Sequence, residues 1–251
     1  MIFEHPLNER IRILLRLEHL FKQVDRFLSE PDPWATRAAI AALLEIIDIT
    51  TLADAKNELL KELERHLDTL NHLAHQRGVD LDALAGVLGD LDAAIAGLQQ
   101  VNGGLGQCAR EDDLLKTIAQ RSSIPGGTCG FDLPHFQHWL LQPVEIRQAR
   151  CADWLSDLTP AVAGIQLALA LIRTSARPRA MLAREGVFQD ALEAPSRLQL
   201  LRVGLDPAAG LYPAISGHHN RFSIRFMTAG LDGRSSACQD DISFNLTCCA
   251  F

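Results

Sequence analysis

The sequence has no apolar run approaching the roughly 20 residues that cross a bilayer. Its longest, 161–172, is broken by Gln166 and bracketed by Pro160 and Arg173, and is expected as a buried helix. The opening residues, Met-Ile-Phe-Glu-His-Pro-Leu-Asn-Glu-Arg, place charge within four positions and lead into no apolar stretch with a small-residue cleavage site, so export is not expected. The six cysteines (Cys108, Cys129, Cys151, Cys238, Cys248, Cys249) contain no C-x-x-C spacing, and Cys248 and Cys249 are neighbours that a strand points to opposite faces. They read as reduced, packing cysteines. Lysine is scarce: only Lys22, Lys56, Lys61 and Lys116 are lysine, and the other twenty basic residues are arginine, which suits fixed, planar contacts with carboxylates.

The usual signatures of chemistry are missing as well. There is no P-loop, G-x-S-x-G, H-E-x-x-H or dinucleotide glycine fingerprint. Gly103-Gly104-Leu-Gly106 follows a helical pattern, not a strand, and reads as a helix stop. His72 with His75, and His135 with His138, lie three apart and can share a helix face, but no carboxylate or cysteine at ligand spacing completes either set. Partly exposed helical histidines are the expected reading, with no metal, no cofactor and no catalysis. A metal-dependent enzyme using these pairs is the alternative. His218-His219 falls in a loop, where a turn or a peptide contact is expected.

What the sequence does contain is a core. Of 251 residues, 47% are hydrophobic and 22% charged, enough for one large or two small folded domains. The net charge of −7 argues against nonspecific nucleic-acid binding, leaving a nucleic-acid-binding regulator as a further, weaker alternative. The charge is uneven: from Ala176 onward eight arginines face seven acids, so the first 175 residues hold a net −8.

Apolar residues three and four apart dominate the first two-thirds, the period of packed amphipathic helices. Asn8 is placed to cap a first helix running to about Leu28; further helices are expected over 34–49 and 53–76, the last with a seam of Leu60, Leu63, Leu67, Leu70 and Ala74. Asp80 caps a fourth helix carrying Leu84, Leu88, Leu91, Ile95 and Leu98, and Glu111, Asp112 and Asp113 mark the start of a fifth. A short helix around Trp139 precedes two more, over 144–158 and 161–175. After Ala176 the period becomes two: Leu201, Val203 and Leu205; Phe222, Ile224 and Phe226; Ile242, Phe244, Leu246 and Cys248. The expected fold is α+β, with a mainly helical domain over 8–176 and an antiparallel β-sheet or sandwich over 177–251, joined by strands from 1–7 and 127–133.

Arginine placement is the most informative feature. Arg12, Arg16, His19, Gln23 and Arg26 recur at four, three, four and three, forming one ridge on the first helix, which a merely solvated face would also show. Arg221 and Arg225 share the face opposite Phe222, Ile224 and Phe226, rooted about 13 Å apart. That face suits an extended peptide with acidic side chains; a charge-protected edge strand is the competing reading.

The sequence resembles the ZapD family of division proteins. The resemblance begins at Phe3-Glu-His-Pro-Leu-Asn-Glu-Arg and recurs at Glu58-Leu-Leu-Lys-Glu-Leu-Glu-Arg65. Its most specific block runs from Arg110-Glu-Asp through Gln120-Arg-Ser-Ser-Ile-Pro-Gly-Gly-Thr-Cys-Gly-Phe-Asp-Leu-Pro134 to Trp139-Leu. Tyr212-Pro-Ala-Ile-Ser-Gly-His218, Arg221-Phe-Ser-Ile-Arg-Phe226 and the Cys248-Cys249 pair follow. The resemblance implies a helical domain plus a β-domain, a homodimer, and binding to the C-terminal peptide of FtsZ at the midcell division site in the cytoplasm. It implies peptide contacts from Arg12, Arg16, Arg110, Arg221 and Arg225, with Lys56 and Arg121 as further candidates. The sequence departs from the family pattern near Leu52, where a basic residue is often found, and at Gln137, where histidine is often found and His138 stands one position on.

Overall fold

The computed structural model describes residues 1–52, 54–74, 79–191, 198–218, 221–230 and 233–251. Among them are nine α-helices, all before Ser175: α1 Glu9–Leu28, α2 Pro33–Leu52, α3 Ala55–Leu73, α4 Leu81–Gln100, α5 Gln107–Glu111, α6 Asp113–Ser122, α7 Pro134–Leu140, α8 Val144–Leu155 and α9 Thr159–Thr174. The eight strands are β1 Ile2–Pro6, β2 Arg179–Ala183, β3 Val187–Ala191, β4 Leu198–Gly204, β5 Leu211–His218, β6 Arg221–Ala229, β7 Ser235–Ala237 and β8 Ile242–Ala250. The fold is α+β. No single helix among the described residues is long and apolar enough to cross a membrane.

Helix starts follow from side chains that satisfy the first free N–H groups. Asn8 accepts from the Ile11 N–H at 2.9 Å, Asp80 from Asp82 and Ala83, and Asp112 from Leu115 at 3.0 Å. The acidic run 111–113 starts a helix as expected, Asp112 capping α6, while the short α5, which the sequence did not announce, ends at Glu111 just before it.

The chain divides into two compact units, residues 13–168 and residues 1–12 with 169–251. In the first, helices bury Leu17, Leu20, Ile40, Ile46, Leu59, Leu63, Leu91, Leu98 and Leu115. Gly164 of α9 lets that helix approach closely: a Cβ there would meet Leu63, Leu59 and Leu98 at 3.2–3.4 Å. The α3 seam differs from the leucine pattern. Its buried stripe is Leu59, Glu62, Leu63, His66 and Leu70, with Leu60 and Leu67 only half-buried. Glu62 and His66 are wholly buried, Nε2 to Oε1 at 3.1 Å, and burial holds the His66 pKa below its usual value. Arg147, also buried, donates to Thr36 and to the Pro31 carbonyl, tying α8 to the start of α2.

The second unit is a β-sandwich. One sheet has the order β1-β4-β8-β2; the other has β3-β6-β5, with β7 alongside β6; all pairings are antiparallel. Val203, Phe244 and Leu246 of the first sheet bury against Phe222, Ile224 and Phe226 of the second, and the Phe226 and Phe244 rings stand 5.0 Å apart. On the opposite face of the first sheet, Glu4 accepts two bonds from Arg173 and one from Arg202, at 2.8–3.0 Å. The β2–β3 turn needs positive φ at Glu185 (48°) and Gly186 (72°); a Cβ on Gly186 would lie 2.1 Å from the Cys238 carbonyl oxygen.

Ile2–Pro6 joins the first sheet beside β4 as an extended start should. The expected strand within 127–133 does not form. Thr128 to Phe131 are turns, because Gly126 takes φ 73° and the Gly127 and Cys129 N–H groups bond back to Ile124 and Gly126. All six cysteines are free thiols. Burial raises the Cys151 pKa to about 12 and that of Cys249 to about 11.

Candidate functional site

The β6 strand places Phe222, Ile224 and Phe226 in the sandwich core and turns Arg221, Ser223 and Arg225 outward. It is not an edge strand, since β3 lies on one side and β5 on the other. The competing reading of Arg221 and Arg225 as guards of an exposed strand edge is therefore removed. Both side chains are exposed, and neither guanidinium has a carboxylate partner among the described residues.

Their neighbours on that face follow from register. Arg225 stands between Val187 of β3 and Ala214 of β5, Ser223 between Gln189 and Ser216, and Arg221 between Ala191 and His218. Val187, Gln189, Ala214 and Ser216, which flank Arg225 and Ser223 on that face, carry no charge. A depression of about 540 Å³ opens at its Arg221 end, lined by Gln189, Asp190, Ser216, Gly217 and Ser223. Two outward cations beside an open depression can receive carboxylates.

The remaining sequence candidates separate into two kinds. Arg16 and Arg121 are exposed and form no ion pair among the described residues. Arg12 is half-buried beside Glu9, Nε to Oε2 3.1 Å, in the same compact unit as Arg221 and Arg225. Along the α1 ridge, His19 contacts Gln23 at 2.9 Å and Arg26 pairs with Glu30 at 2.9 Å. Lys56 and Arg110 are otherwise engaged. Lys56 Nζ donates to the Val101 carbonyl at 2.6 Å, and Arg110 Nη1 donates to the Leu105 carbonyl at 2.6 Å, with Gly104 and Thr51 at the limit of reach. Both hold the 101–106 loop.

Sequence reasoning passed over Arg37. Its guanidinium lies over the rings of Trp34 and Phe136 and donates to the Thr128 carbonyl at 2.7 Å, clamping the loop that follows Arg121. Its position four before Ala41 on a helix gives no hint of this. Among the described residues no group of three or more His, Cys, Asp and Glu could hold a metal ion. His135 and His138 are exposed, with His138 bonded to Gln142; His75 and His219 lie outside the described residues.

Comparison with known proteins decides the family. The family model for ZapD, a cell division protein, matches residues 15–225. This chain belongs to the ZapD family. It is 40% identical over 249 residues to the cell division protein ZapD of Methylococcus capsulatus, covering 99% of this chain and 98% of that protein. The ZapD of Nitrosomonas eutropha is 38% identical over 248 residues, with 99% and 98% covered, and that of a Janthinobacterium species 37% over 251 residues, with both chains fully covered. These relatives are named as division proteins and not as an enzyme family, and ZapD membership makes this chain a cell division protein.

Proposed function

We propose that this ZapD-family protein binds the C-terminal peptide of FtsZ through exposed arginines and, as a homodimer, crosslinks FtsZ filaments to support the Z ring. The reading rests on one observation: Arg221 and Arg225 point outward with no carboxylate partner among the described residues, in a chain of net charge −7. An acidic protein that leaves such a pair uncompensated gains nothing in stability from it, whereas an acidic peptide would gain up to about 1 kcal/mol per exposed pair.

Arg12 in the same compact unit, and Arg16 and Arg121 in the other, are the further contacts proposed; Lys56 and Arg110 are proposed to act by shaping the loop they hold. The dimer presents each site twice by symmetry, so one molecule holds tails of two filaments. Many tails per filament raise the effective concentration, and weak single contacts add up to a firm hold. The protein performs no catalysis in this reading and works in the cytoplasm at midcell. The test is co-sedimentation with full-length and tail-deleted FtsZ. Arg221→Glu with Arg225→Glu should abolish pelleting while leaving the circular dichroism spectrum and dimer mass unchanged; equal pelleting of tail-deleted filaments would end the proposal.

A further inference from the structure

The open side of β5 lies next to the two unpaired arginines, and main-chain direction fixes what it offers. Phe226 donates its N–H to the Gly186 carbonyl (2.8 Å) and accepts from the Cys238 N–H (2.9 Å), so both its groups point away from β5. Neighbours in a strand alternate, so Arg225 and Met227 direct theirs toward β5, onto Ala214 and Tyr212. Ile215 and Gly217 must therefore turn N–H and C=O outward, away from β6, and Pro213 its carbonyl alone. β5 ends its sheet, and among the described residues nothing bonds the Ile215 or Gly217 N–H.

Open edges are usually guarded by charge, proline or a covering element. Here Pro213 blocks only its own position, and 214–217 reads Ala-Ile-Ser-Gly, with no charge. On the arginine side of the sheet, Ala214 stands between Arg225 and the edge, Ser216 beside Ser223, and position 218 beside Arg221. A strand added to β5 would run about 10 Å from β6, two inter-strand spacings, within the joint span of Arg225 and a glutamate side chain laid across Ala214.

We propose that β5 captures an acidic peptide by strand addition: its main chain pairs with Ile215 and Gly217, an acid opposite Ala214 reaches Arg225, and an acid four residues along stands in line with Arg221. This deepens the reading above and rests on it. Hydrogen bonds to the edge give register, and the arginines select charge.

The experiment uses the full-length protein and the FtsZ C-terminal peptide as probe, with hydrogen exchange and fluorescence anisotropy. Saturating peptide should slow exchange at the Ile215 and Gly217 amides and leave Ala214 and Ser216, already in the ladder, unchanged. N-methylating alternate peptide amides should cost tenfold or more in affinity in one register and under about threefold in the other. Ala214→Glu, at an exposed position, should lower affinity by about tenfold by occupying Arg225. Equal tolerance of both methylated registers, with Arg221→Glu and Arg225→Glu still abolishing binding, would overturn strand addition and leave the arginine reading standing. Failure of the unmodified peptide to bind would overturn that reading itself. Protection of Ile215 and Gly217 without peptide, rising with protein concentration, would assign the edge to a second copy of this chain and overturn the proposal.

Discussion

Arg110→Ala and Arg225→Ala look alike on paper and should behave oppositely. Arg110 makes a 2.6 Å bond to the carbonyl of Leu105, whose side chain is 2% exposed, plus two contacts at 3.4–3.5 Å that add little. Losing one charge-assisted bond and leaving a carbonyl without its partner costs about 2 kcal/mol. At 2–4 °C per kcal/mol for a chain of this size, the melting temperature should drop by about 4–8 °C. Arg225 has no partner to lose, so its removal should change stability by less than about 0.5 kcal/mol and melting by no more than about 2 °C. The order reverses for the proposed binding: Arg225→Ala should weaken a single FtsZ tail up to about fivefold, the equivalent of about 1 kcal/mol, and reduce filament pelleting more if the proposed dimer engages two tails. Paired scanning calorimetry and peptide anisotropy on the two variants decide it. A stable Arg110→Ala that cannot bind, or an Arg225→Ala that melts early, would refute the division into structural and peptide-facing arginines.

Four further outcomes follow from the geometry. Asp112 is burdened by burial, but the bonds from Arg150, Trp154 and the Leu115 N–H overcome it and hold its pKa below the ordinary carboxylate range. Because the folded value lies below the unfolded one, its contribution is present at neutral pH and is lost as pH falls through the folded value; the melting gap between wild type and Asp112→Asn should close in acid, and a gap independent of pH would contradict this. Filament bundling should fall steeply as salt shortens the screening length from about 10 Å at 0.1 M toward about 3 Å at 1 M, measured by light scattering. Gly186→Ala, strained by its positive φ and facing the Cys238 carbonyl, should destabilise the sandwich by about 2 kcal/mol or more in urea unfolding. Leu63→Ala should cost about 2–5 kcal/mol, read the same way, since Leu63 is fully buried in the helical unit.

Much of this fold was legible in the sequence because the period of the apolar residues changes once, from three-and-four to two, near Ala176. The caps at Asn8 and Asp80 were readable too, since a short polar side chain before an apolar stripe has one local task. Strand β5 was not readable: Pro213 and Gly217 interrupt the alternation of Leu211 and Ile215, and neither looks like a strand residue. The Glu62–His66 pair hid within a leucine seam, because helical spacing shows which residues share a face and cannot show that the face has rotated to bury two ionisable side chains. The run 127–133 misled for the opposite reason. Its cysteine and phenylalanine suggest a strand, but three glycines close by permit turns that return its backbone hydrogen bonds to itself.

The site was half legible, and the limit is a physical one. Pattern identifies a side chain that points away from the core, which is why Arg16, Arg221 and Arg225 were found with their correct orientation. It cannot tell an arginine that faces solvent from one that folds back onto a carbonyl five residues away, as Arg110 does on Leu105, because both leave the core in the same direction. That distinction depends on where the 101–106 loop passes, a tertiary fact. The same holds for the edge beside Arg225. Alternation places the arginine outward, but only the order β3-β6-β5 shows that one small residue, Ala214, separates it from edge amides that nothing bonds among the described residues. The proposed peptide site, which asks for both charge and main-chain pairing, therefore draws on two strands together, and neither strand's sequence carries it alone.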